Sequence, residues 1–225
     1  MIDNFNRYVL ANSGLLLNGV AVTATICALA FALAVVLGLI ACLVRLYVPL
    51  LRPAALAYIE FCRATPIFVQ LLWVNYVWPE LFGFPRTTEG AAVIALAMQS
   101  SGYLAETFRS GIEGLHRGQF EAGLAVGMSR AQIMRRIVGP QVALVMAPAI
   151  VNQMAVVVKS STLVAIIAVP DLMYQAMGIA NKWFEPIEVL TTAAVLYFLI
   201  IFSISTAAEK IANHFRRKFG LTSAH

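Results

Sequence analysis

Long apolar blocks separated by short polar clusters make up most of this chain. From about Leu15 to Val44 there is no charged residue at all, a stretch longer than the ~20 residues a helix needs to cross a bilayer. Gly19, Gly38 and the alanines between them supply the small-residue face on which membrane helices approach one another. Four further blocks, roughly residues 54–77, 90–108, 141–158 and 187–207, have the length and apolarity of spanning helices. The pattern predicts an all-α, polytopic membrane protein: five transmembrane helices in a single domain covering residues 1–225. The second block is broken at Thr65-Pro66 and ends in Trp73, Tyr76 and Trp78, residue types that gather at membrane–water interfaces. The third carries Gln99, Ser100, Ser101 and Glu106, so it is expected to face other helices and not lipid. Leu163 to Val169 is too short to cross and reads as a buried or re-entrant segment ending at Pro170-Asp171.

Residues 109–140 form the longest polar interruption. Within it Ser129 precedes Gln132 by three positions, the capping-box spacing that starts a helix. Gly127, just before, permits a left-handed turn. The loop is therefore predicted to contain two short helices meeting at an elbow, with Pro140 closing the second.

Composition narrows the class. With 60% hydrophobic and 12% charged residues the chain lies outside the soluble globular range. The net charge of +5 does not point to nucleic acid, because the basic residues are scattered between apolar blocks and do not line one face. Their placement does set an orientation. With the amino terminus outside, the inner side collects Arg45, Arg52, Arg109, Arg117, Arg130, Arg135, Arg136, Lys210, Arg216, Arg217 and Lys218, and the outer side only Arg7, Arg86 and Lys182. Eleven against three follows the positive-inside rule and places residues 109–140 in the cytoplasm. Cys27, Cys42 and Cys62 read as buried thiols, and with His116, His214 and His225 they make no metal-like spacing. No phosphate-binding loop of the Gly-x-x-x-x-Gly-Lys-Ser/Thr type occurs, so ATP would have to be used by another chain.

The order Glu121-Ala122-Gly123, three residues, Gly127, nine residues, Ile137, one residue, Gly139-Pro140 resembles the EAA loop of importer permeases in the ATP-binding-cassette (ABC) class. In that family the form is Glu-Ala-Ala, three residues, Gly, nine residues, Ile, one residue, Leu-Pro, so Gly123 stands in place of alanine and Gly139 in place of leucine. Both changes are expected to loosen the helices while keeping the spacing. Tyr58 to Pro66, Ala105 to Ile112 and Lys159 to Leu163 look like segments of the polar-amino-acid uptake permeases, a subfamily of those importers. The resemblance covers roughly residues 14–210 and implies a type I ABC importer permease in the bacterial inner membrane. It implies no cofactor on this chain, with ATP and Mg in the partner. The partners it implies are a second permease copy or close homologue, two cytoplasmic ATP-binding subunits and a periplasmic solute-binding protein. Glu121, Ala122 and Gly127 match the motif's defining positions, and Gly123, Ser129, Ile137 and Pro140 complete the coupling loop.

Polar groups at membrane depth are candidates for the solute path, since a charge at mid-bilayer costs at least ~2.5 kcal/mol on insertion scales. They are Glu60, Arg63, Gln70, Gln99, Asn152, Gln153, Lys159 and Ser160. Each has a plainer reading. Glu60 and Arg63, one helical turn apart, can neutralise each other. The amides serve more often as glue between helices, and Lys159 can snorkel to lipid headgroups. Two rivals to the importer remain: a self-sufficient channel or ion-coupled transporter, and a passive anchor that recruits a cytoplasmic partner.

Overall fold

A computed structural model of the chain describes residues 8–114, 117–184 and 186–218. Arg7, and with it part of the orientation argument, falls outside these residues, as do His116 and His225.

Among the described residues the secondary structure is helical throughout. Helix α1 (Ser13–Tyr47) covers the first apolar block and overshoots it. Its 35 residues reach about 52 Å at ~1.5 Å each, well beyond a ~30 Å hydrocarbon core, so it tilts or projects. The small residues do what their pattern predicts. A Cβ added at Gly19 would lie 2.8 Å from Leu172 Cα, and one at Gly38 would lie 2.9 Å from the Ser101 carbonyl oxygen. Either contact is closer than a side chain tolerates, so α1 lies against its neighbours backbone to backbone.

The second apolar block is not a straight span. α2 (Arg52–Ala64) and α3 (Ile67–Leu72) meet at 106° across Thr65-Pro66. Pro66 has no N–H to give to the Cys62 carbonyl four residues back. The fully buried Gln70 fills that vacancy, its Nε2 donating to Cys62 O at 3.1 Å. Beyond α3 comes a π turn (Trp73–Val77) and a short α4 (Trp78–Phe82), with Gly83 left-handed at φ +74° as its cap. Phe61, Trp73, Trp78, Phe82 and Phe84 form a chain of ring contacts here, with centroids 5.6–6.0 Å apart.

α5 (Thr88–Glu113) is the central helix. Ala91, Ala92, Ala95, Ala97 and Leu104 along it are buried against α1 and its neighbours. Next come α6 (Arg117–Ala125) and α7 (Arg130–Ile133), a second π turn (Met134–Val138), and α8 (Gly139–Ser161), which remains helical through Pro148. A 3-10 stretch (Thr162–Ile167) continues α8 directly, until Ala168 turns left-handed at φ +60°. The stretch at residues 163–169, expected to be buried or re-entrant, is buried at Val164, Ile167 and Val169, but it is not a separate re-entrant element: as far as Ile167 it is the tapered end of α8. Asp171 caps α9 (Leu172–Trp183) through Tyr174 N–H at 2.9 Å and accepts from Tyr197 O–H at 3.1 Å. Thr23 Oγ1 accepts from Leu172 N–H, tying α9 to α1. α10 (Pro186–Lys218) ends the described chain.

Three helices are long and apolar enough to cross a membrane, Leu10–Tyr47, Arg130–Ile167 and Pro186–Lys210, and the bent pair adds a fourth if it counts as one span. The five sequence blocks therefore give three or four candidate spans among the described residues. Helix α5 makes the difference: Gln99, Ser100, Ser101 and Glu106 lower its apolarity, which a helix surrounded by others tolerates.

Candidate functional site

The loop between α5 and α8 is built as an elbow, and its parts can be followed bond by bond. α6 ends in a Schellman motif: Met128 N–H bonds Gly123 O at 3.0 Å and Gly127 N–H bonds Leu124 O at 3.0 Å. Gly127 has φ +79° with open space around it, so its requirement for glycine is conformational and not steric. Two residues on, Ser129 and Gln132 form the complete capping box. Gln132 N–H reaches Ser129 Oγ at 3.3 Å, and Ser129 N–H reaches Gln132 Oε1 at 2.8 Å.

The elbow is clamped to the bundle by one side chain. Ile133 is fully buried with Val138 and Val142, against Ile112, Met128 and Met146. Gly123 makes room for it: a Cβ at position 123 would stand 2.7 Å from Ile133 Cγ1. The expected loosening at Gly123 is therefore offset by closer approach of the two helices. The opposite face is open. Glu121 and Ala122 are exposed, as are Leu124 and Val126, an acidic residue beside an apolar ridge.

Pro140 does not close a helix, contrary to the sequence expectation. The wide π turn just before it takes the proline without a break, so Ile137 and Pro140 lie half-buried inside a run that is helical from Arg130 to Ile167. The elbow's second arm and the following span are one continuous element.

At the other end of the loop an ion-pair network ties the last turns of α5 to α1. Glu106 binds Arg45 of α1 at 2.6 Å and Arg109 at 2.6 Å, and Arg109 also pairs with Glu113. Sequence reasoning missed the network as a unit. The Glu106, Arg109 and Glu113 spacing is legible as helical neighbours, whereas nothing local announces Arg45, 61 positions away.

The path candidates occupy separate places. Glu60 and Arg63 form the expected turn-to-turn pair at 3.3 Å, with Glu60 exposed and Arg63 half-buried. The Arg63 guanidinium also lies 5.5 Å from the centre of the Tyr103 ring. Gln70 is occupied by the helix break described above. Gln99 is half-buried on α5 and Gln153 is buried on α8. Asn152 lines a groove of about 500 Å³ between α8 and α10, with Ser205, Glu209 and Asn213. Lys159 is exposed and Ser160 half-buried at the far end of α8.

Known proteins place this architecture. Residues 34–220 match the family described as binding-protein-dependent transport system inner membrane component. The glutamine transport system permease protein of Escherichia coli is 32% identical over 199 residues, covering 88% of this chain and 91% of that protein. The arginine transport system permease protein of Bacillus subtilis is 30% identical over 198 residues, covering 87% and 90%. A crystal structure of an amino acid ABC transporter with histidines superposes with a TM-score of 0.82 at 32% identity, over 91% of this chain and 96% of that one. An inward-facing methionine ABC transporter shares the fold alone, with a TM-score of 0.76 at 19% identity, over 91% and 98%. The chain therefore belongs to the binding-protein-dependent transport system inner membrane components: it is a multi-pass inner-membrane permease subunit of an ABC importer, and not itself an ATPase.

Proposed function

We propose that this permease carries a polar amino acid, by alternating access driven through the loop at residues 109–140. The class of solute comes from the relatives, whose names cite glutamine and arginine. Glu121, Ala122, Gly123, Gly127, Ser129, Ile137 and Pro140 form the coupling loop of a single transmembrane domain. The chain crosses five times, α5 included, with its amino terminus outside and this loop in the cytoplasm. Two ATP-binding subunits dock there, each on one copy of the chain or of a close homologue. A solute-binding protein delivers from the other side, and the solute passes between the two copies along polar groups that include Glu60, Arg63, Asn152 and Lys159. No cofactor resides on this chain.

The observation that carries the reading is the elbow's continuity with α8. A docked partner that moves α6 and α7 moves a helix running unbroken to Ile167, because Ile133 clamps the elbow and the π turn avoids a break at Pro140. Motion at the loop then reaches the bundle as a rigid-body displacement. Glu121→Lys tests this. Reconstituted with its partners, the variant should remain in the membrane and lose ATP-driven amino acid uptake at least tenfold; uptake at the wild-type rate would exclude the coupling role.

A further inference from the structure

We infer that Gly139 is a positioning residue for transport: by permitting the π turn at Met134–Val138, it sets the rotational register of the docking elbow relative to α8.

In the turn, Gly139 N–H bonds Met134 O, five residues back, where an α-helix would bond four back. Such a turn holds one residue more than the α-helix it interrupts. Everything on its amino-terminal side is therefore rotated by about 100° and shifted by about 1.5 Å from where an uninterrupted helix of the same length would put it. Ile133 is the residue that register places. It is fully buried under Gly123, and its clamp leaves Glu121, Leu124 and Val126 facing outward.

The turn is tight at one point. A Cβ at position 139 would lie 2.6 Å from Met134 O, the oxygen that residue 139 itself bonds. Pro140 follows and would press its ring on the carbonyl four residues back if the helix were regular. The π turn meets the demand of the proline, and glycine meets the demand of the turn. The π turn at Trp73–Val77 shows that a proline alone does not require glycine: there Trp78 donates to Trp73 O immediately before Pro79 and carries a full side chain. The need at position 139 belongs to this turn's geometry. Leucine there, the residue of the EAA pattern, would push Met134 O away and open the π turn, turning Ile133 out of its socket.

The inference rests on the docking role proposed above, and its test separates the two. In native membranes, an Ile133→Cys background reads the register with a membrane-permeant maleimide and needs no partner. The cysteine should be protected when Gly139 is present, labelled at least fivefold faster with Gly139→Leu, and protected again when Met134 is also deleted, because removing one residue cancels the rotation. With Ile133 restored and the partners present, ATP-driven uptake should fall at least tenfold in Gly139→Leu and return to within about threefold of wild type in Gly139→Leu with Met134 deleted. If Gly139→Leu fails to insert, deletion of Met134 alone decides: it should keep uptake, because the turn absorbs the loss, whereas deletion of Val145 in regular α8 should abolish it. Unchanged labelling in Gly139→Leu, or loss of uptake on deleting Met134 alone, would overturn the role of Gly139. Labelling that changes as expected while uptake stays at wild type in Gly139→Leu would keep the register and overturn its role in transport, leaving the docking reading to the Glu121→Lys test.

Discussion

Among the described residues the same backbone detour occurs twice, at Trp73–Val77 and at Met134–Val138, each time immediately before an X-Pro pair. In both, the residue ahead of the proline donates its N–H to the carbonyl five back. The supports differ. The first turn is held by what is present, with Trp73 against Phe61 and Trp78, and Trp78 against Phe82 and Phe84. The second has no aromatic packing: Val138 buries one side of it against Ile133 and Val142, Arg135 and Arg136 project outward, and its close approach depends on what is absent, a Cβ at position 139. A turn packed by aromatic rings belongs to stability. A turn that depends on a missing side chain, and joins a docking elbow to a membrane span, belongs to coupling.

That contrast can be broken by substitution. Trp78→Ala should have the largest effect on stability, since three ring contacts and the side chain's packing are lost together. We expect a loss of about 3 kcal/mol, read as a lower melting temperature in detergent, with ATP-driven uptake per folded molecule unchanged. Uptake falling further than folded protein would place the first turn in coupling as well. Gln70→Leu should cost about 1–3 kcal/mol, because the Cys62 carbonyl at the helix break is left buried without a donor; an unaltered melting temperature would show that this carbonyl finds another partner. On the docking side the order reverses, with small stability losses and large coupling losses. Gly127→Ala, forced to φ +79°, should cost about 1–2 kcal/mol locally and weaken retention of the ATP-binding subunits. Ser129→Ala removes half of the capping box at a cost of about 1 kcal/mol and should loosen the same association more mildly.

Much of this was legible in sequence, for definite reasons. Period and length fixed the helices, because a long uncharged apolar stretch has few other solutions, and Gly19 and Gly38 announced close approach by their spacing. The elbow was legible residue by residue, since Gly127 and the Ser129/Gln132 pair act locally. What failed was the reading of proline. Pro140 reads as a stop and residues 163–169 as a separate buried or re-entrant piece, because a proline ordinarily ends a helix and a short apolar run cannot cross a bilayer. A π turn and a 3-10 taper carried the chain through instead. Such one-residue adjustments leave no periodic trace. Of the path candidates, Gln70 shows the limit most clearly: its sequence marks a polar group at membrane depth, but only the fold reveals the carbonyl that Pro66 leaves unpaired.

The most direct test of the docking elbow is co-purification from native membranes in mild detergent, comparing wild type with Gly127→Asp. The account predicts two ATP-binding subunits for each pair of permease chains in the wild type, and their loss from a variant that still inserts. ATP-binding subunits retained equally by both would contradict the elbow as the docking site, and their absence from both would contradict the coupling loop altogether.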